Sequence, residues 1–249
     1  SGWAAPGAAQ PDTAVSTQPS EEAQAPDAPR LTIDTPRLAG SISLQGGRID
    51  DLALKDYHVE LAEDSDIVRV LSPVGEDNAF YALYGWAPGT GLGFDDVPGA
   101  NTVWSADEGQ VLTPDSPVTL TWDNGKGLTF TRTVAVDEDY LFSVTQSVAN
   151  ASGGSVSLAP YGTLARHGQP AGLKNFFILH EGVFGMADGE LAVIDYGHMA
   201  HFDPHPPDGS RPEVTQFESH VCLGFTPHYC MSTLLPPPCL FYPSPRPPH

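Results

Sequence analysis

The sequence predicts an all-β protein, an antiparallel β-sandwich. Three observations carry that prediction. Apolar and polar residues alternate over short runs, the runs are separated by Gly, Pro, Asn and Asp, and no stretch of about ten residues free of Gly and Pro keeps an apolar i, i+3, i+4, i+7 pattern. Many closely spaced strands without an amphipathic helix argue against an α/β body. No internal repeat of fixed period is present.

Residues 1–30 are rich in Ala, Pro, Gln, Ser and Glu and nearly free of β-branched and aromatic side chains. Such a segment buries too little apolar area to offset its ordering entropy, so it reads as a disordered tether. The texture changes at Leu31. Gly40 to Leu44, the turn Gln45-Gly46-Gly47, and Arg48 to Leu54 read as strand, tight turn and strand, with Ile42 and Leu44 on one face. Val118 to Trp122 and Leu128 to Val136 form a second hairpin, in which Val118, Leu120 and Trp122 match a period-two set of Leu128, Phe130, Val134 and Val136. Asn124-Gly125 is expected to supply the positive φ of the turn. A third strand is expected over Tyr140 to Val148, with Tyr140, Phe142, Val144 and Val148 on one face, and a fourth over Ser155 to Leu158. The expected core is aromatic, built from Trp86, Trp104, Trp122, Phe130, Phe142 and Tyr161.

Charge narrows the function classes. The 249 residues carry 31 Asp plus Glu against 11 Lys plus Arg, a formal net charge of −20. Phosphate backbones and anionic headgroups need clustered cations to displace their counterions, so nucleic-acid binding is excluded. The longest uncharged stretch, Tyr140 to Ala165, is interrupted by Ser, Thr, Gln, Asn and Gly and reads as no membrane span. No basic segment followed by an apolar one opens the sequence, so a signal or anchor is expected to lie outside it. Three cysteines, all beyond residue 220, provide no disulfide framework for the chain.

The motifs that could carry chemistry each have a plainer reading. Gly89 to Gly93 is glycine-rich, but Phe94-Asp95-Asp96 follows it, where a phosphate cradle would need a helix N-terminus. Glu63 to Asp66 and Asp137 to Asp139 lack the ligand series of a calcium loop and read as solvated turns. His198, His201 and His205, with His220, Cys222, His228 and Cys230, have zinc-like spacing, yet Pro204, Pro206, Pro207 and Pro212 break the region that would have to be stiff. His167, His180 and Glu181 could form an acid–base pair in a cleft, or could be strand-end polar residues. Neither a Gly-x-Ser-x-Gly elbow nor a His-Glu-x-x-His helix is present.

Several blocks, in their order and spacing, resemble one family. Asp34 to Tyr57, Val70 to Pro73, Phe80 to Trp86, Asn101 to Trp104, the hairpin from Trp122 to Arg132, and Phe177 to Gly182 together resemble the periplasmic domain of the YidC membrane protein insertases, of the YidC/Oxa family and alphaproteobacterial type. The resemblance continues through Leu223 to Pro236, similar to the family's Gly-Phe-Thr-Asp-x-Tyr-Trp strand and the Leu-Ile-Pro that closes it. Cys222 and Cys230 stand where the family usually has Trp, and Pro227 where it has Asp. A single base change separates Trp from Cys codons, which favours substitution over a metal site. The text from about Pro238 fits no expectation and reads as a disordered or corrupted tail.

The resemblance implies a galactose-mutarotase-like antiparallel β-supersandwich over 31–237, incomplete at its C-terminal end and truncated before the transmembrane core. It implies a non-enzymatic domain in the periplasm of a bacterial inner-membrane protein that helps insert and fold integral membrane proteins, alone or with the Sec translocon. The partners implied are the Sec translocon accessory subunits and, through the absent core, nascent membrane proteins. In that picture insertion happens in the core, where a lone Arg sits in a hydrophilic groove, and no residue of this chain takes that role. No catalytic, cofactor-binding or metal-binding residue is assigned, and no cofactor, metal or nucleic acid is expected. A carbohydrate-binding or aldose-epimerase-like protein on the same sandwich is the alternative, and it requires His167 or His180 to meet a carboxylate such as Glu181 or Glu190 in one cleft. A sandwich lacking its last strands is expected to leave an unpaired edge and an exposed apolar face, and so to be marginally stable.

Overall fold

The computed structural model describes residues 28–62, 65–168, 180–199, 201–203, 221–226 and 231–236. Its strands are β1 (Arg30–Asp34), β2 (Leu38–Ser43), β3 (Arg48–His58), β4 (Ile67–Leu71), β5 (Phe80–Pro88), β6 (Val111–Leu112), β7 (Val118–Asp123), β8 (Leu128–Val136), β9 (Phe142–Asn150), β10 (Leu158–Arg166), β11 (Gly182–Ala187), β12 (Glu190–Asp195), β13 (Val221–Thr226) and β14 (Ser232–Leu234). Helical structure among the described residues is confined to a 3-10 turn, Phe94–Asp96, and one turn of α-helix, α1 (Tyr196–Met199). The chain is all-β.

Two sheets make the sandwich. One has seven strands in the order β10-β5-β3-β2-β1-β6, with β4 added on β3, and the facing one has three, β7-β8-β9. The alternation that predicts strands also decides which side chains meet between them. Ile33, Leu38, Ile42, Phe80 and Leu112 of the larger sheet form one buried cluster with Val118, Leu120, Leu128, Phe130 and Val134 of the smaller. The pairings are antiparallel with one exception, the short parallel contact of β1 with β6, which sets Ile33 beside Leu112. A further four-stranded sheet, β12-β11-β13-β14, packs one face toward the sandwich through Phe225, whose ring meets Phe80 edge-on at 5.4 Å.

Local chemistry accounts for where the strands begin and end. The β7–β8 hairpin turns on Gly125 and Gly127, at φ +70° and +92°, rather than on Asn124 and Gly125. Asn124 instead closes the loop with its side chain, whose Oδ1 accepts from the amides of Lys126 (2.8 Å) and Leu128 (3.1 Å). β9 starts at Phe142, later than the expected Tyr140, because Asp137 Oδ1 takes the amides of Asp139 and Leu141 and folds 137–141 into a turn, with Tyr140 at φ +77°. The acid cluster there is thus a turn-former. The fourth expected strand, Ser155 to Leu158, runs instead over Leu158–Arg166. Pro160 and Gly162 hide it in the sequence, and an edge strand tolerates both because one side of its backbone needs no partner.

The aromatic core holds for Trp104 and Phe130, both fully buried, with Trp86, Trp122 and Phe142 packed partly buried against it. Tyr161 is the correction: it is 39% exposed. It lies on the edge strand β10 opposite Gly85, and its hydroxyl fills the space that a side chain there would need, since a Cβ at Gly85 would come within 2.4 Å of Tyr161 Oη.

Candidate functional site

A charged recess is built around the β2–β3 hairpin. It holds about 210 Å³ and its lining includes Arg30, Ser43, Arg48, Asp50, Asp51 and Glu76. A register shift between Ser41 and Ile42 explains the geometry: Ser41 pairs with Asp51 and Ile42 with Ile49, so Asp50 is the extra residue of a bulge. Its side chain turns inward, 3% exposed, and pairs with Arg30 from the start of β1. Burial pushes the Asp50 carboxyl above its ordinary value, and the charges of Arg30 and Arg48 only partly offset this. Arg48 is itself buried, donating from Nη2 to the Ala100 carbonyl at 2.9 Å and lying over the Tyr81 ring. At the mouth, Arg69 holds Asp51 (3.1 Å) and Glu76 (2.9 Å). Each lining carboxylate therefore has a guanidinium partner, and the recess offers a polar solute donors and acceptors rather than an unpaired acid or base.

A second charged group lies deeper. Arg132 interrupts the apolar side of β8 and is 1% exposed. Its guanidinium donates to three backbone carbonyls, Gly46 (3.2 Å), Gly47 (2.9 Å) and Tyr84, and to Gln146 Oε1 (3.3 Å) on the neighbouring strand. It also lies over the Trp104 ring, 4.5 Å from its centre. Burial lowers its pKa to about 10, partly countered by Tyr161 and Tyr84. The cation is a strut: it ties the tip of the β2–β3 hairpin, which carries the recess, to the facing sheet.

The residues singled out from sequence do not converge on the charged recess. His167 Nε2 lies 3.3 Å from the Tyr81 hydroxyl. His180 meets a carboxylate, but it is Asp195, at 3.1 Å, while its other ring nitrogen contacts the Val183 carbonyl at 3.1 Å. Asp195 is 76% exposed, Glu190 is exposed on β12, and the charged recess is lined by none of His167, His180, Glu181 and Glu190. Gly89 to Gly93 is a loop locked by Asp96, which accepts the Gly93 amide at 2.7 Å and pairs with Lys126, the two contacts that draw its carboxyl below the usual range. Of the zinc-like set, His198, His201 and Cys222 are described, and His201 Nδ1 faces the Gly197 carbonyl at 3.0 Å. His205, His220, His228 and Cys230 lie outside the described residues, as do Glu63 and Asp64. No group of three or more His, Cys, Asp or Glu placed to hold a metal occurs among the described residues.

Sequence reasoning overlooked Asp50 and Arg132. Arg132 alone carried a local signal, since it breaks the alternation of a strand whose other inward positions are apolar.

A family model for the YidC periplasmic domain matches residues 30–242, from the first residue of β1 past the end of β14. The chain belongs to this family. It is 67% identical over 201 residues to a membrane protein insertase YidC of Ruegeria sp. (strain TM1040), covering 81% of this chain and 33% of that protein. Insertases of the same name from Ruegeria pomeroyi and Cereibacter sphaeroides (strain ATCC 17029 / ATH 2.4.9) are each 54% identical, over 92% of this chain and 40% and 36% of their own length. The chain thus spans between a third and two-fifths of the YidC relatives it matches. No helix among its described residues is long and apolar enough to cross a membrane.

Proposed function

We propose that this chain serves as the periplasmic domain of a bacterial inner-membrane insertase, a non-enzymatic module that assists the insertion and folding of integral membrane proteins. The observation that carries this reading is the family match across 30–242, joined to 67% identity with a protein named as that insertase. The module works beside the Sec translocon accessory subunits, while nascent membrane proteins engage the membrane part of the longer protein. The geometry supports a scaffold over a catalyst: the lining carboxylates of the charged recess are matched by guanidinium groups, and the buried cation binds backbone. The net charge of −20 supports a protein rather than a nucleic-acid partner.

A domain exchange tests this. Residues 30–242 replace the matching segment in the full-length Ruegeria sp. relative, expressed in cells depleted of their own insertase. The exchange should sustain insertion of a reporter membrane protein and should retain Sec accessory subunits on detergent purification, where deletion of the segment loses them. An exchanged protein that is made and membrane-bound yet behaves like the deletion overturns the reading. Polarimetry addresses the sugar alternative: catalysed mutarotation of galactose, abolished by His180→Ala, would replace the proposal.

A further inference from the structure

The four-stranded sheet has one face turned to the sandwich and one turned away. Val183 and Ile194 share the inner face with Phe225, which stacks on Tyr196 and meets Phe80. The outer face carries Phe184 and Met186 on β11 and, directly opposite them, Val193 and Leu191 on β12. Leu191 is 61% exposed and Val193 56%. β12 is also the end of its sheet: among the described residues no strand pairs with its outer side. An edge of this kind, with uncharged Leu191 to Ile194 between Glu190 and Asp195, lacks the lysines and prolines with which proteins usually block strand addition.

Charge decides what could pair there. The described residues of this sheet and α1 contain no Lys or Arg, while Glu181, Asp188, Glu190 and Asp195 are acidic. A second copy of the chain is disfavoured, because antiparallel self-pairing would set Glu190 opposite Asp195 and bring together two molecules of charge −20. Anionic lipid is repelled for the same reason. A strand with an apolar centre and a cation at each end satisfies every requirement: its backbone completes the ladder, its apolar side chains cover Leu191 and Val193, and its cations face Glu190 and Asp195.

We propose that the outer edge of β12 binds an extended polypeptide segment, apolar in its middle and cationic at both ends, by adding it as a further strand. Recognition is mainly through backbone, so the partner is defined by this pattern rather than by one sequence.

The test uses the whole chain and a fluorescent peptide of six residues, matched to the length of β12, with Lys at both ends and Val alternating with Thr between them. Its control replaces the two valines with prolines, keeping the charge and removing the ladder. The Val peptide should bind with saturable anisotropy, slow amide exchange along β12, and bind on the order of tenfold more tightly than the Pro peptide. Leu191→Glu and Val193→Glu, both at exposed positions that leave the fold intact by melting temperature, should weaken it by a similar factor despite adding attraction for its cations. Equal binding of both peptides means charge attraction only and overturns the proposal. So does failure of the Val peptide to bind, or unchanged affinity in both variants.

Discussion

Arg132 lies face-on to Trp104, its guanidinium carbon 4.5 Å from the ring centre, inside a core that is otherwise apolar. A buried cation without a carboxylate against it is costly, and the structure offsets the cost with carbonyl dipoles and a ring face instead of a counter-ion. Arg suits this position because its planar fork reaches several acceptors at once.

Arg132→Met should therefore destabilise the domain by about 3–5 kcal/mol, since it leaves the Gly46, Gly47 and Tyr84 carbonyls buried without a donor. Arg132→Lys should retain part of that loss, having no fork. Urea titrations followed by Trp fluorescence measure both, and a change below about 1 kcal/mol for Met would remove the strut from the account.

Gly47→Ala should be disruptive through the same contact. Gly47 sits at φ +61°, and a Cβ there would come within 2.4 Å of Arg132 Nη1. The expected loss is about 2–4 kcal/mol, larger than backbone strain alone gives. Because both changes break one contact, their effects should fall short of additive in a double-mutant cycle, and simple additivity would argue that the two sites are independent.

Asp50 predicts an unusual pH dependence. Its carboxyl is raised above 3.8 in the folded chain, so the folded state holds this proton more tightly than the unfolded one. The associated stability is fully present below 3.8 and is lost as pH rises through the folded value. Asp50→Asn, which cannot ionise, should lack that component: relative to it, the parent chain should lose stability as pH climbs out of the acid range. Parallel curves for the two proteins, measured by denaturant melts across that range, would contradict the assignment.

Phe130→Ala removes a fully buried ring that packs between Trp86 and Trp122, with centroids at 6.2 and 5.6 Å. A loss of about 3–5 kcal/mol is expected, along with a change in Trp emission, and calorimetry checks it.

The hairpins were legible from sequence because both signals that define them are local: alternation on each arm, and glycine or asparagine between. β8 is the clearest instance, buried at every second residue from Leu128 to Val136. β10 was not legible, because Pro160 and Gly162 look like a loop until the strand's edge position is known. The recess and the strut were missed for a different reason. Arg132 finds its carbonyls 85 and 86 residues away, at Gly47 and Gly46, and no local pattern encodes a partner at that distance. Asp50 faces inward only because a bulge shifts it, and alternation alone would have counted through it. For the histidines, spacing left two readings open, an acid–base pair or strand-end polar residues, and folding gives His180 to Asp195 rather than to Glu181.

The parallel pairing of β1 with β6 carries a temporal consequence. A polypeptide appearing N-terminus first completes the β1–β2–β3 meander early, but Ile33 waits for Leu112 to acquire its second neighbour, and the 46–47 turn waits for residue 132. Closure of the two layers is therefore a late, long-loop event, slow by nature. Over that interval the inner side of the meander stands bare, and a chaperone acting on this chain has its window there.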